Sequence, residues 1–158
     1  MEWVAFCSQT GTEIKILSDL LGYTPSLIIT NNLEGLIIGE WIKEKEINLR
    51  VLPNKPDVLD YKFALRGKIS STLITLHGFT RIIPEIILKK YSNIYNGHPG
   101  LISKYPELKG FNPQKKAFDY RMTEVGSVIH KVNELVDEGE IVCQMSLNIG
   151  ESEGIENY

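Results

Sequence analysis

Asn96 and His98, in the run Asn96-Gly97-His98-Pro99-Gly100, are the residues whose types and spacing best suit chemistry on a carbonyl group. They follow the apolar run Ser92-Asn93-Ile94-Tyr95, and residues two apart on an extended backbone point to the same side. A carboxamide and an imidazole can then face one carbonyl carbon, the amide N–H stabilising a developing oxyanion while the ring moves protons. A histidine in that role needs a group that orients it and stabilises its cation, and aspartate is the usual choice. Asp137, in the acidic connection Glu134-Leu135-Val136-Asp137-Glu138-Gly139, is the candidate, although an ordinary solvated turn would explain any one carboxylate there. Asn96, His98 and Asp137 would form one constellation that calls for neither a metal nor a covalent nucleophile.

Other polar residues have plainer readings beside functional ones. His130 sits mid-strand among Val128, Ile129 and Val132, and His77 ends a buried run, so both are expected to be satisfied structural histidines. Arg81, after Gly78-Phe79, could clamp a ligand or pair with a surface carboxylate, and taken alone the pairing is the expectation. Ser8-Gln9-Thr10-Gly11-Thr12 is small and polar and ends in a helix whose opening amides are free to bind an anion. The plainer reading is that Thr10 or Thr12 caps the helix and Gly11 supplies an unusual backbone angle. A single glycine without a further fingerprint leaves both open.

The elements that must position these residues alternate through the first two thirds of the chain. Apolar runs predict strands over residues 3–7, 26–30, 49–52, 71–77 and 92–95. Helical patterns fall between them, over 13–21 (Ile14, Ile16, Leu17, Leu20 and Leu21 at helical spacing), 36–45 and 57–66. After residue 95 the rhythm changes: Pro99, Pro106 and Pro113 interrupt an irregular segment, a short helix covers 114–119, and strands over 124–132 and 140–148 are joined by 133–139. Strands separated by helices imply right-handed crossovers and a Rossmann-like, doubly wound, mostly parallel sheet, here with antiparallel C-terminal strands. Ligands in such sheets bind beyond the carboxyl ends of the strands, which singles out the loops 8–12, 78–81 and 97–100.

With 158 residues, 42% of them hydrophobic, the chain suits one domain over residues 1–148 and a polar tail over 149–158. A net charge of −3 without a basic block excludes the footprint of a nucleic-acid binder. Cys7 and Cys143 lie far apart in apolar, strand-like segments, the distribution of buried thiols in a reducing compartment. No run has the apolar length of a membrane span, and Met1-Glu2-Trp3 leads straight into a strand rather than a signal peptide. The expected location is cytoplasmic, with no membrane partner.

His77-Gly78-Phe79-Thr80-Arg81-Ile82-Ile83, Asn96-Gly97-His98-Pro99-Gly100-Leu101, Lys104-Tyr105-Pro106 and Gly126-Ser127-Val128-Ile129-His130, through Asp137-Glu138-Gly139, resemble in order and spacing the folate-dependent formyltransferases. Within that family the likeness is nearest to the purine-pathway branch, the phosphoribosylglycinamide formyltransferases, because Ser8-Gln9-Thr10-Gly11-Thr12 falls at their phosphate-binding loop. The resemblance implies 10-formyltetrahydrofolate as co-substrate and a small primary amine as acceptor. It gives Asn96 the contact to the formyl oxygen, His98 the charge and proton movement, and Asp137 the holding of that histidine and an ordered water. It assigns Phe79, Thr80, Arg81, Ile82 and Ile83, with Val136 and Glu138, to the pteridine pocket, and Gln9, Thr10, Gly11, Thr12 and Glu13 to the phosphate of the acceptor.

The pattern also departs from the family. Glu13 stands where the purine enzyme has an amide side chain, and a carboxylate there repels an anionic acceptor unless it turns away or binds an amine. Gly100 and Ser103 replace the usual Ser and Pro. The family's C-terminal strand and helix find no match, so the acceptor side is expected to be pared down, or completed by a partner subunit or across a dimer. Two alternatives use the same residues: a 10-formyltetrahydrofolate deformylase, in which water replaces the amine, and a non-catalytic folate- or nucleotide-binding module. Formylation of methionyl-tRNA is disfavoured in a chain with no basic domain.

Overall fold

The computed structural model describes residues 2–149. The predicted tail 149–158 therefore lies outside the described residues except for Ile149, whose N–H still donates to the Thr123 carbonyl at 2.8 Å. Two compact units divide the chain, residues 1–95 and 96–158. Among the described residues seven strands, β1 (Trp3–Cys7), β2 (Leu27–Thr30), β3 (Asn48–Val51), β4 (Leu73–His77), β5 (Ile94–His98), β6 (Glu124–Lys131) and β7 (Ile141–Asn148), form one sheet in the order β3-β2-β1-β4-β5-β6-β7, the doubly wound α/β arrangement that the alternation of runs predicts.

In the first unit β1 (Trp3–Cys7) pairs in parallel with β2 (Leu27–Thr30) on one side and β4 (Leu73–His77) on the other, and β2 pairs with β3 (Asn48–Val51). Every residue of β1 is buried, as the continuous apolar run requires of a strand covered on both faces. Trp3, Ala5 and Cys7 pack with Ile14 of α1 (Thr12–Leu21) and Trp41 and Ile42 of α2 (Gly39–Glu44). Phe6 faces the opposite layer, 5.1 Å from the Phe79 ring and 6.4 Å from the ring of Tyr61 on α3 (Val58–Ala64). Burial pushes the Cys7 thiol up to about 11, which makes it an inert core group.

Several boundaries move. Asp57 caps α3 rather than opening it, its carboxylate accepting from the N–H groups of Leu59 and Asp60 while Asp60 answers in a capping box. Of the apolar residues predicted for α1, Ile14 is buried and Leu17 packs on the core, while Ile16, Leu20 and Leu21 are exposed. Helix α4 (Glu85–Lys90) is too short for periodicity to announce, and it starts directly after Pro84, a residue that suits a helix entrance.

The strand predicted to stop at residue 95 continues: β5 runs Ile94–His98, so Asn96 and His98 sit on the strand and not in the loop beyond it. The second unit goes on with a 3-10 turn (Pro106–Leu108), α5 (Pro113–Asp119) and the antiparallel pair β6 (Glu124–Lys131) and β7 (Ile141–Asn148). Its core is small, with Ile102, Leu108, Ala117 and Val128 fully packed. Every residue of β7 is exposed, Cys143 included, which corrects the expectation of a second buried thiol. No helix among the described residues is long and apolar enough to cross a membrane.

The β6–β7 register slips between Ile129, opposite Cys143, and His130, opposite Ile141. The extra residue on β7 forms a bulge at the level of His130, a device that re-aims neighbouring side chains. Gly139 closes the connection back to β7: a Cβ there would lie 1.5 Å from the Lys131 carbonyl oxygen and 3.2 Å from His130 Nδ1. Gly139→Ala is therefore expected to force the loop off the hairpin and cost about 2 kcal/mol or more, read as a lower urea midpoint. An unchanged midpoint would show that this close approach does not pin the loop.

Candidate active site

Extended backbone through β5 puts the Asn96 and His98 side chains on one side of the strand, and both meet Asp137. Asp137 Oδ2 lies 3.3 Å from His98 Nδ1 and accepts from the Gly110 N–H at 2.8 Å. Its Oδ1 lies 3.5 Å from Asn96 Nδ2 and 3.3 Å from His130 Nε2. The carboxylate is 90% buried, against 95% and 97% for the two histidine side chains, so water screens these contacts little. The predicted constellation thus assembles within the second unit, and Asp137 is no solvated turn residue.

Local chain geometry delivers the carboxylate. Asp137 sits at φ 55, the left-handed region that aspartate and asparagine tolerate better than other non-glycine residues. Val136 and Glu138 on either side point elsewhere: Val136 is exposed, and Glu138 pairs with Lys109 at 2.7 Å.

His130 is the residue that sequence reasoning missed. It is buried as expected, but it belongs to the cluster: Nε2 is 3.1 Å from Asn96 Nδ2, and Nδ1 is 3.0 Å from the Lys131 carbonyl. In the neutral ring the proton sits on Nδ1, donating to Lys131, and Nε2 accepts one N–H of Asn96; in the protonated ring Nε2 donates to Asp137 Oδ1 instead. The second N–H of Asn96, whose nitrogen is 3.5 Å from that oxygen, is the one that can turn to a ligand oxygen. Strand alternation was the available signal, because it places His130 with Val128 on the buried face of β6. His98 is enclosed on its other side as well, with Nε2 2.9 Å from the Leu108 carbonyl. Its two ring nitrogens thus face two oxygen acceptors, the Asp137 carboxylate and the Leu108 carbonyl.

The first unit carries the other candidates. Gly11 holds a φ of 75 over Ile38 and Leu36, where a Cβ would lie within 3 Å of both side chains, so its glycine is required twice over. Helix α1 opens on Gly11, which has no side chain to cap it; the Thr10 hydroxyl pairs with that of Thr12 at 2.9 Å and accepts a long bond from the Thr12 N–H at 3.5 Å. Gln9, Thr10, Thr12 and Glu13 are exposed around these first-turn amides. Ser8, unremarked in the sequence, ties the strand ends together: its hydroxyl donates to Asn31 Oδ1 at 2.5 Å and accepts from the Thr80 N–H at 2.9 Å.

In the loop after β4, Phe79 and Ile83 are buried, so their side chains hold the loop to the core. Ile82 is exposed, and its carbonyl accepts from the Tyr61 hydroxyl at 3.1 Å; burial pushes that phenol up to about 12. Arg81 reaches an amide rather than the expected carboxylate, with Nη2 2.5 Å from Asn54 Oδ1. Its Nε is buried without a partner, and it lines a cavity of about 280 Å³ with Asn54, Lys55, Pro56 and Ile82.

Charge in the Asp137 cluster is coupled. Burial pushes the Asp137 carboxyl up, yet hydrogen bonds from His130 and the Gly110 N–H, and the charges of both histidines, bring it below its ordinary value. Burial likewise pushes His130 down, and its bonds to Asp137 and the Lys131 carbonyl overturn that, leaving it raised. A depressed aspartate stabilises the fold above its unfolded value of about 3.9 and loses that contribution as pH falls through its folded one. A raised histidine contributes fully below about 6.5 and loses that as pH rises through its folded value. The pair is therefore strongest between about pH 4 and 6.5. Asp137→Asn keeps the left-handed backbone accessible while removing the charge. It is expected to cost on the order of 3 kcal/mol near pH 6 and less at pH 8.5, read from urea midpoints at the two pH values. A cost independent of pH would show that the pair does not titrate over this range.

Comparison with known proteins identifies the family. The family model described as formyl transferase matches residues 51–158. The trifunctional purine biosynthetic protein adenosine-3 of Chironomus tentans is 36% identical over 162 residues, covering 95% of this chain and 12% of that protein. The phosphoribosylglycinamide formyltransferase of Haemophilus influenzae is 36% identical over 85 residues, 53% of this chain and 39% of that one. The chain thus spans only about a tenth of the length of the trifunctional relative. Among solved structures, the phosphoribosylglycinamide formyltransferase from Bacillus halodurans superposes with a TM-score of 0.82 at 28% identity, covering 99% of this chain and 84% of that one. A match that takes in β5, the hairpin and the Asp137 loop places the chain in the formyl transferase family.

Proposed function

We propose that this chain transfers a formyl group from 10-formyltetrahydrofolate to the primary amine of a small phosphorylated acceptor, a sugar or nucleotide amine such as phosphoribosylglycinamide. One observation carries the reading: a buried carboxylate joins a carboxamide donor and two histidines, the set that transfer of an acyl carbon to an amine requires. Family membership and the names of the relatives point the same way.

In this reading the folate supplies the formyl carbon, and the protein's residues manage charge around it. Asn96, steadied by His130, donates its second N–H to the formyl oxygen as negative charge develops there. As the amine bonds to the formyl carbon and the bond from that carbon to the folate nitrogen breaks, His98 takes the proton the amine loses and passes it to the departing nitrogen, while Asp137 balances the positive charge on the ring. Backbone groups of the Thr80 to Ile83 loop line the pteridine, and the cationic side chains of Arg81 and Lys55 complement the carboxylates at the folate's glutamyl end. The uncapped first turn of α1 after Gly11 receives the acceptor's phosphate.

The test is formation of tetrahydrofolate from 10-formyltetrahydrofolate, with and without a panel of amines that includes phosphoribosylglycinamide. Turnover that requires the amine supports the transferase. Turnover without amine would make the protein a hydrolase, and folate binding without turnover would leave a binding module. Asn96→Ala is expected to lower kcat about 100-fold to 1,000-fold, and His98→Ala about 100-fold to 10,000-fold. Full activity in either variant would overturn the site assignment.

A further inference from the structure

His77 is not the satisfied core histidine that the sequence suggests. Its side chain is 93% buried at the carboxyl end of β4, opposite Cys7 in the parallel register, and Nδ1 has no hydrogen-bond partner in the protein. Beside it stands the Glu13 carboxylate from the first turn of α1, with Oε2 3.3 Å from Nδ1. Nε2 lies 2.8 Å from Thr75 Oγ1, and the same oxygen accepts from the Trp3 indole N–H at 2.7 Å. An indole nitrogen only donates, so it fills one lone pair of the threonine oxygen. The second lone pair and the hydroxyl hydrogen of Thr75 can each serve His77 Nε2. The Glu13 carboxylate beside Nδ1 favours a ring proton on that nitrogen, and the threonine hydroxyl then donates to Nε2.

Glu13 needs such a partner if the neighbouring loop binds an anion. A carboxylate in the first turn of a helix is attracted to the free amides there, the same groups an anionic ligand would use. Left to itself it competes with that ligand for the amides and repels it. The two residues also flank the loop: Gly78, next to His77, lies against the Gln9 side chain, which a Cβ at residue 78 would meet at 3.7 Å.

We propose that His77 is a positioning residue for acceptor selection, holding the Glu13 carboxylate at the end of β4 so that Gln9, Thr10, Gly11 and Thr12 can receive an anionic group. The chain Trp3-Thr75-His77-Glu13 carries the effect from the core to the surface. It accounts for a carboxylate at a position where the family resemblance leads one to expect an amide. The inference rests on the reading of this loop as the acceptor's phosphate site.

Steady-state kinetics on the full chain tests it, with phosphoribosylglycinamide and its dephosphorylated riboside as acceptors and inorganic phosphate as competitor. His77→Ala is expected to raise the KM for the phosphorylated acceptor about tenfold, as a freed carboxylate would near an anion. In Glu13→Gln the histidine becomes dispensable, so the double variant Glu13→Gln/His77→Ala should return to within about threefold of Glu13→Gln alone. A double variant as weak as His77→Ala would overturn the positioning role while leaving the phosphate site intact. Wild-type protein that ignores inorganic phosphate and treats both acceptors alike would overturn the phosphate site, and the inference with it. Ring nitrogen chemical shifts of His77 in the wild-type chain give a reading independent of any variant's folding: a proton on Nδ1 is expected, and the tautomer with Nδ1 bare would refute the proposal.

Discussion

The second unit depends on one carboxylate. Asp137 accepts from a backbone N–H, borders two imidazoles and lies beside a carboxamide, and it does so almost wholly out of water. A charge buried to that degree is tolerable only if most of its lone pairs are matched, and each match fixes another part of the structure. Gly110 ties the segment after the 3-10 turn, His130 ties the bulged hairpin, and Asn96 and His98 tie β5. The core of this unit is small, and β7 is exposed along its length, so polar closure carries a large share of the order that apolar burial carries elsewhere.

The first unit is built the other way round. A strand buried on both faces carries layers of helices, and its polar features gather where the strands end. Ser8 joins the end of β1 to the segments after β2 and β4, with one hydrogen bond to each, and Gly11 lets the chain turn into α1 over Ile38. Because the core is rigid, the loops that leave it are positioned without contributing to it, which is why exposed residues such as Gln9, Thr10 and Thr12 can serve a ligand. Glu13 and His77 form an exception, a carboxylate–imidazole contact reaching from core to surface at that rim.

Much of the fold was legible in the sequence, and the misses have common causes. Long apolar runs gave β1, β2 and β4 because full burial leaves a signal independent of neighbours. The end of β5 was missed because Asn96, Gly97 and His98 are polar or small, although the backbone stays extended through them. Ile16, Leu20 and Leu21 fit helical spacing as well as Ile14 and Leu17 do, because that spacing admits more than one face, and only packing selects Ile14 and Leu17 for the core. Cys143 was read as buried because an apolar strand was taken to have a covered face, and none covers β7 among the described residues.

The candidate site divides along the same line. Asn96, His98 and Asp137 could be chosen from sequence because their chemistry is local to each side chain, and the spacing of Asn96 and His98 already set their common direction. The parts played by His130 and His77 could not be chosen, since an imidazole in an apolar strand looks the same whether its nitrogens meet backbone, carboxylate or nothing. Sequence by itself determined the alternation of strands and helices, the common direction of Asn96 and His98, and the resemblance to the formyl transferase family. Tertiary structure alone decided which groups share the carboxylate of Asp137, that no side chain caps α1, and where the Glu13 carboxylate turns. The physical reason is that hydrogen-bond partners and burial are properties of distances between segments far apart in the chain, and those distances exist only once it has folded.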